Sequence, residues 1–156
     1  MVEKAGTAKA TFYKYFPSRT ELEVATLDAE HQAAVDELAQ LESAHDSAAL
    51  ALGAFVDVSA ERLATMLAGD LFIQAAVAYS DPEHPTREAA RSHLAWTHRQ
   101  LTRLFGAAGH PTPADAADEL TIALSGAELV AHTRDRTAAA GGLRRTLAKL
   151  LDEAKA

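Results

Sequence analysis

Residues 5–22 read AGTAKATFYKYFPSRTEL, and this stretch predicts a turn, a short helix and the beginning of a long helix. Gly6 provides the turn, and the short helix is predicted from about Thr7 to Tyr15. Ser18 and Glu21 have the S-x-x-E spacing of a capping box, in which both side chains satisfy free backbone amides at a helix start. A long helix is therefore predicted to begin directly after Ser18.

Apolar residues recur along the rest of the chain at intervals of three, four or seven positions, which is the spacing of helices. The long helix is predicted to end near residue 42. Further helices are predicted over about 47–68, 71–80, 84–106, 113–134 and 142–155. Gly141 and Gly142 are interpreted as the turn before the last helix, and Thr112 as the N-cap of the preceding one. The sequence thus predicts an all-α bundle preceded by a small helical head.

The composition indicates a soluble protein with one folded domain. Apolar residues make up 48% of the 156 residues, which is enough for a buried core. The chain has no cysteine, so disulfide frameworks and thiol chemistry are excluded. No run of eighteen apolar residues is present, and the N-terminus lacks the apolar core of a signal peptide. We expect a cytoplasmic protein that does not enter the membrane.

The net charge of −7 is unevenly distributed. Residues 1–20 hold four basic side chains against one acidic side chain, a net of +3, so the rest of the chain carries −10. A small basic patch can dock on phosphate, although an acidic body repels nucleic acid. Charge alone favours the simpler interpretation, in which this segment is an ordinary solvated surface.

The short helix carries side chains that suit a nucleic-acid surface. Its small, hydroxyl and basic residues can enter a major groove, and its ammonium groups and aromatic hydroxyls can contact phosphates. Phe12 and Phe16 lie four residues apart, so they are expected to pack the opposite side of the helix onto the body. The segment therefore has the chemistry of a DNA-reading helix.

This stretch resembles the second half of the DNA-binding domain of TetR/AcrR-type transcriptional regulators. The family pattern is roughly A-G-V-S-x-G-T-x-Y-x-Y-F, followed by a basic residue and E-L; here it is matched by Ala5 to Phe16, Arg19 and Glu21-Leu22. The resemblance implies a partial helix-turn-helix head over residues 1–20. It also implies a TetR-like bundle over residues 21–156 that binds a ligand and dimerises.

The resemblance also implies which residues contact DNA. Residues expected to face bases or nearby phosphates are Thr7, Lys9, Thr11 and Tyr13, and those expected to contact phosphates are Lys14, Tyr15 and Arg19. The family's DNA-binding domain has three helices, and this chain begins at the end of the second. With ~11–12 residues per helix, about one and a half helices are expected upstream. Without them, we expect no specific operator binding.

A ligand pocket is expected around the only tryptophan, Trp96. Trp96 lies opposite the stripe of Leu94 and Leu101, so its helix has either two buried faces or one face with a partly exposed ring. Candidate pocket residues are Phe55, Met66, Phe72, Tyr79 and Trp96, with His98 as a polar group. The resemblance implies that a small apolar or amphipathic effector occupies such a pocket.

No metal, cofactor or catalytic site is predicted. His93 and His98 are five residues apart and do not share a helix face, and no H-E-x-x-H motif is present. Nucleophile elbows, phosphate loops and dinucleotide fingerprints are also absent from the sequence. The sequence therefore does not favour an enzyme.

The last two helices are expected to form a homodimer interface. Ser125-Gly126-Ala127 lowers helix propensity, which favours the close approach of another helix, either within the chain or from a second subunit. The resemblance implies a four-helix interface between two subunits, and the leucine stripe of the last helix is expected to contribute to it.

Together these features predict a ligand-responsive repressor that binds operator DNA as a homodimer. The alternative is a helical module that binds a small molecule or dimerises without any DNA-binding function.

Overall fold

The computed structural model describes residues 16–65 and 69–155, which form helices without any strand. The helices are α1 Arg19–Ser43, α2 Ala48–Thr65, α3 Leu71–Ala78, α4 Pro85–Ala107, α5 Pro113–Thr133 and α6 Arg136–Glu153. The all-α prediction is confirmed, and the short helix predicted over 7–15 lies outside the described residues. Within the described ranges, no helix is long and apolar enough to cross a membrane.

The helix starts follow local capping chemistry. Ser18 is the N-cap of α1, and its Oγ accepts a hydrogen bond from the Glu21 backbone N–H at 3.1 Å, as the capping box predicts. Asp70 caps α3 by accepting from the Ile73 backbone N–H at 2.9 Å. Thr112 precedes α5 as predicted, but its side chain makes no capping hydrogen bond.

The start of the last helix differs from the prediction. Helix α6 begins at Arg136, so Gly141 and Gly142 lie inside it rather than before it. The Asp135 carboxylate accepts hydrogen bonds from the backbone N–H groups of Thr137 and Ala138 at 2.8 and 3.3 Å. Each glycine costs about 1 kcal/mol relative to alanine inside a helix, and this N-cap offsets part of that cost.

The main core joins α2, α4, α5 and α6. Its largest fully buried side chains outside α1 are Leu52, Val56, Leu101, Leu104, Phe105, Leu120, Leu143 and Leu150. A smaller cluster of Leu27, Phe72, Ala75 and Ala90 holds the first half of α1 against α3 and α4. Because α4 contributes to both clusters and packs on α1, α2, α3 and α5, it is the central helix of the bundle.

We expect Asp135→Ala to lower the free energy of unfolding by about 1 kcal/mol, because it removes the cap of α6. Thr112→Ala is the matched control, since Thr112 occupies the same position at α5 without a side-chain hydrogen bond. Urea unfolding of both variants measures the difference. Equal effects would contradict a helix that starts at Arg136.

Candidate ligand cavity

A cavity of about 200 Å³ lies inside the bundle, and all six helices contribute to its wall. One apolar lining residue from each helix, in chain order, is Leu38, Phe55, Ile73, Trp96, Leu124 and Leu143. Because every helix supplies part of this partly open cavity, a molecule bound in it would lie against several helices of the bundle.

Half of the residues that line the cavity are polar or charged, and most of these come from α4 and α5. Thr97 and Gln100 of α4 and Thr121 and Ser125 of α5 line the cavity. Small-molecule sites combine apolar surface with polar groups that orient the ligand, and this cavity offers both.

Two histidines join α1 to α4 beside the cavity. The Nδ1 atoms of His31 and His93 are 3.0 Å apart, so one ring donates a hydrogen bond and the other accepts it. The His93 ring also stacks on Phe72, with centroids 3.5 Å apart and planes within 8°. The His31 ring meets Trp96 edge-on at 5.1 Å. This aromatic cluster connects α1, α3 and α4.

Burial lowers the pKa of His93 to about 4, with a smaller contribution in the same direction from the charge of His31. Asp70 acts in the opposite direction but is outweighed. His93 is therefore neutral at pH 7, and it adds hydrogen-bonding capacity but no positive charge to the cavity wall.

Two carboxylates, Asp70 and Glu128, also line the cavity. The backbone N–H of Asp70 donates to Glu128 Oε2 at 3.1 Å, which joins the start of α3 to α5. Burial raises the pKa of Glu128, and the negative charge of Asp70 adds to this, while the hydrogen bond from Asp70 and the nearby His132 oppose it. In the described part of the chain, neither carboxylate forms a salt bridge.

The first turns of α1 are tied to the α3–α4 connection by Glu23. Its carboxylate accepts hydrogen bonds from the Tyr79 hydroxyl, from Thr86 Oγ1 at 3.0 Å and from Arg19 Nε at 2.7 Å. The hydrogen bond from Tyr79 makes the largest contribution to lowering the pKa of Glu23. Thr86 is buried, so this anchor fixes α1 to the body of the protein.

The structure brings together only part of the predicted pocket. Phe55 and Trp96 line the cavity. Phe72 lies in the smaller core cluster, and Tyr79 lies at the α3–α4 connection, where its ring stacks on His84 at 3.6 Å. His98 lies outside the cavity between α4 and α5, with its Nε2 atom 2.9 Å from Asp118. Met66 lies outside the described residues.

Sequence reasoning missed the polar lining of α4. His93, Trp96, Thr97 and Gln100 follow each other at steps of three and four, so they share one helix face. That spacing was the available signal, because an apolar stripe with three polar members is unusual for a core-facing helix. In the described ranges, no group of three or more histidine or carboxylate side chains is placed to hold a metal ion.

Of the predicted DNA-contacting residues, only Arg19 falls in the described ranges. Thr7, Lys9, Thr11, Tyr13, Lys14 and Tyr15 lie outside them. The Arg19 side chain is exposed and paired with Glu23 at the first turn of α1.

Helix α5 carries an exposed apolar face. Ile122 and Leu129 are 71% and 65% exposed, and Gly126 lies between them on the same face. Among the described residues, no heavy atom comes within 4 Å of a Cβ built on Gly126, so no helix of the same chain packs closely there. The leucines of α6 do not lie where the prediction placed them. Leu143, Leu147 and Leu150 are buried in the core of the same chain, so they cannot face a partner.

Comparison with known proteins gives a structural match. No family model and no curated protein matches the sequence. The crystal structure of a TetR-family transcriptional regulator from Streptomyces coelicolor superposes with a TM-score of 0.88, over 94% of this chain and 78% of that protein, at 20% sequence identity. This chain has a TetR-type fold. The match confirms the fold that the resemblance of residues 5–22 implied.

We expect the stability of the protein to fall as the pH decreases from 6.5 to about 4, because folded His93 binds its proton less readily than the unfolded chain does. The shift corresponds to roughly 3 kcal/mol for a fully shielded ring, and to about 1 kcal/mol here because the ring is half-buried. His93→Gln should lose that much less stability than the native protein between pH 7 and pH 4.5, measured by urea unfolding.

The control is His98→Gln, which changes a histidine of the same helix that lies outside the cavity. It should keep the contribution of His93 to the loss of stability in acid. An acid profile of His93→Gln that parallels that of the native protein would contradict the assignment.

Proposed function

We propose that this protein is a TetR-type transcriptional regulator that binds operator DNA as a homodimer and releases it when a small apolar or amphipathic effector occupies the cavity. The observation that carries this proposal is the TetR-type fold built around a cavity lined by all six helices. We propose that the protein represses transcription while it is bound to its operator.

The proposed response begins where the cavity touches α1. Glu37 and Leu38 of α1 line the cavity, and the other end of the same helix leads into residues 1–18. An effector that binds one position of α1 more tightly than another shifts the population between the two positions. Because α1 is continuous over 25 residues, a change at the cavity is carried to its first turn.

We assign DNA contact to the partial helix-turn-helix head over residues 1–20. The residues proposed to contact bases or phosphates are Thr7, Lys9, Thr11, Tyr13, Lys14, Tyr15 and Arg19. Its net charge of +3 supports phosphate contact. The ligand-binding and dimerisation domain is proposed to span residues 21–156.

The proposed dimer interface is the exposed face of α5, together with the adjoining surface of α6. Large exposed apolar side chains favour association, and the open surface at Gly126 would allow a partner helix to approach closely. The buried leucines of α6 support the core instead, so α5 supplies the apolar part of the interface.

The charge of the body favours a second candidate, a ligand-binding or dimerisation module without DNA function. The chain after residue 20 carries a net charge of −10, which repels nucleic acid. DNA binding distinguishes the two candidates, because both include a ligand cavity and a dimer.

We expect Ile122→Glu with Leu129→Glu to convert the dimer into a monomer, because four carboxylates would meet in one desolvated interface. Sedimentation equilibrium at micromolar concentration should give twice 16.6 kDa for the native chain and 16.6 kDa for the double variant. Val77→Glu, at a site 77% exposed on α3, is the control and should remain dimeric. A native chain that sediments as a monomer would contradict the dimer.

We expect the 156-residue chain to bind DNA only weakly and without sequence preference, whereas a form extended upstream in the same reading frame by about one and a half helices should bind specifically. Base readout needs a rigidly held recognition helix, but phosphate attraction does not. A mobility-shift assay on the DNA flanking the gene compares the two forms, with Tyr13→Ala and Lys14→Ala expected to weaken binding by the longer one.

If the 156-residue chain binds this DNA even in the presence of competitor DNA, the result would contradict the proposal that the head over residues 1–20 is incomplete. Failure of the extended form to bind any flanking DNA would contradict the regulator itself and favour the module without DNA function.

A further inference from the structure

The charges on the cavity wall are unbalanced. Glu37 is neutralised by Arg62, whose guanidinium lies 2.5 Å from its carboxylate. Asp70 and Glu128 form no salt bridge among the described residues, the effect of His132 on the pKa of Glu128 is outweighed by burial, and His93 is neutral at pH 7. The cavity therefore has a negative pole that the protein itself does not neutralise.

This pole has a fixed geometry. Asp70 is held as the N-cap of α3, and its backbone N–H positions Glu128 Oε2. Gly69 lies beside this pole, since a Cβ at this position would be at ordinary contact distance, 3.7 Å from Glu128 Oε2 and 3.8 Å from His132 Nε2. The Glu128 carboxylate is thus held against the backbone of Asp70 at the junction of α3 and α5, and both side chains line the cavity.

Half of the lining residues are apolar or aromatic. Phe55 and Trp96 supply ring surface, and Leu101 and Leu124 complete an apolar wall. Ring faces attract organic cations and also shelter the apolar part of a ligand. The volume of about 200 Å³ is below the range of drug-sized pockets, so the ligand is small.

An anionic ligand does not fit this arrangement. The guanidinium of Arg62 lines the cavity, but it is already bonded to Glu37. A carboxylate in the cavity would have to displace that pair while facing Asp70 and Glu128, and like charges in a partly desolvated site repel strongly.

We infer that the cavity binds a small organic cation, an amine with a short apolar or aromatic body, whose ammonium group lies between Asp70 and Glu128. The apolar body packs against Phe55 and Trp96. This inference rests on the proposed function, because it names the chemical class of the effector.

The test uses three probes of the same shape and different charge: phenylbutylamine, phenylbutanol and phenylbutyrate. Titration calorimetry at pH 7 gives the affinities, and the fluorescence of the single Trp96 reports occupation of the cavity. The amine should bind about tenfold more tightly than the alcohol, and the carboxylate should bind most weakly. Equal affinities, tighter binding of the alcohol or carboxylate, or no binding of the amine would overturn the inference.

Variants locate the charge effect. Glu128→Gln should weaken binding of the amine about tenfold and leave the alcohol unchanged, because only the ammonium uses the carboxylate. Asp70→Asn should act in the same direction while it keeps the N-cap, since asparagine caps as well as aspartate does.

The matched control is Glu119→Gln, which makes the same charge change on α5 outside the cavity, where Glu119 pairs with Lys149. It should leave all three affinities unchanged. An equal loss of amine binding in Glu119→Gln and Glu128→Gln would show a general charge effect and overturn the site.

Failure of the inference is distinguishable from failure of the proposed function. If the alcohol binds as tightly as the amine and releases the extended form from DNA, the regulator stands and the cation site is overturned. If the amine binds with the expected dependence on Glu128 but DNA binding never occurs, the cation site stands and the regulator does not.

Discussion

Burial of α4 on several sides is the constraint on which the rest of the bundle depends. This helix packs against α1, α2, α3 and α5, so its polar side chains must find partners inside the protein. Thr86 donates to Glu23, and His93 pairs with His31. The same polar groups that satisfy α4 also attach α1 to it, and the cavity lies along the face on which this attachment occurs.

The cavity and the attachment of α1 are therefore parts of one arrangement. The ring of His93 lines the cavity and also stacks on Phe72, which belongs to the cluster that holds α1 and α3. A ligand that displaces this ring would disturb the contact with His31. This physical connection between the cavity wall and the long helix is what the proposed regulation requires.

Much of the fold could be predicted from the sequence, because helix spacing and capping are local properties. The Ser18 cap and the limits of α4 and α5 followed from a few adjacent residues. The start of α6 did not, because a glycine pair is typical of a turn, whereas here the cap at Asp135 begins the helix ahead of the pair. The pairing of Asp70 with Glu128 joins residues 58 positions apart, and no local pattern contains it. The direction of the α6 leucines was also a tertiary property, since a leucine stripe serves a core and an interface equally well.

Leu27 lies between the first turn of helix α1 and the residues of α1 that line the cavity. Leu27 is the first of the two buried residues of this helix, the other being Leu38, and at 1.5 Å per residue Glu37 at the cavity lies ~15 Å to one side of Leu27 and Arg19 lies ~12 Å to the other. A tilt about Leu27 would move both of these positions by similar distances in opposite directions, and it would have to loosen the hydrogen bonds that Glu23 accepts from Tyr79 and Thr86. In the proposed homodimer, the α1 helices of both subunits would move together, and the distance between their first turns would change by up to twice the movement of either helix.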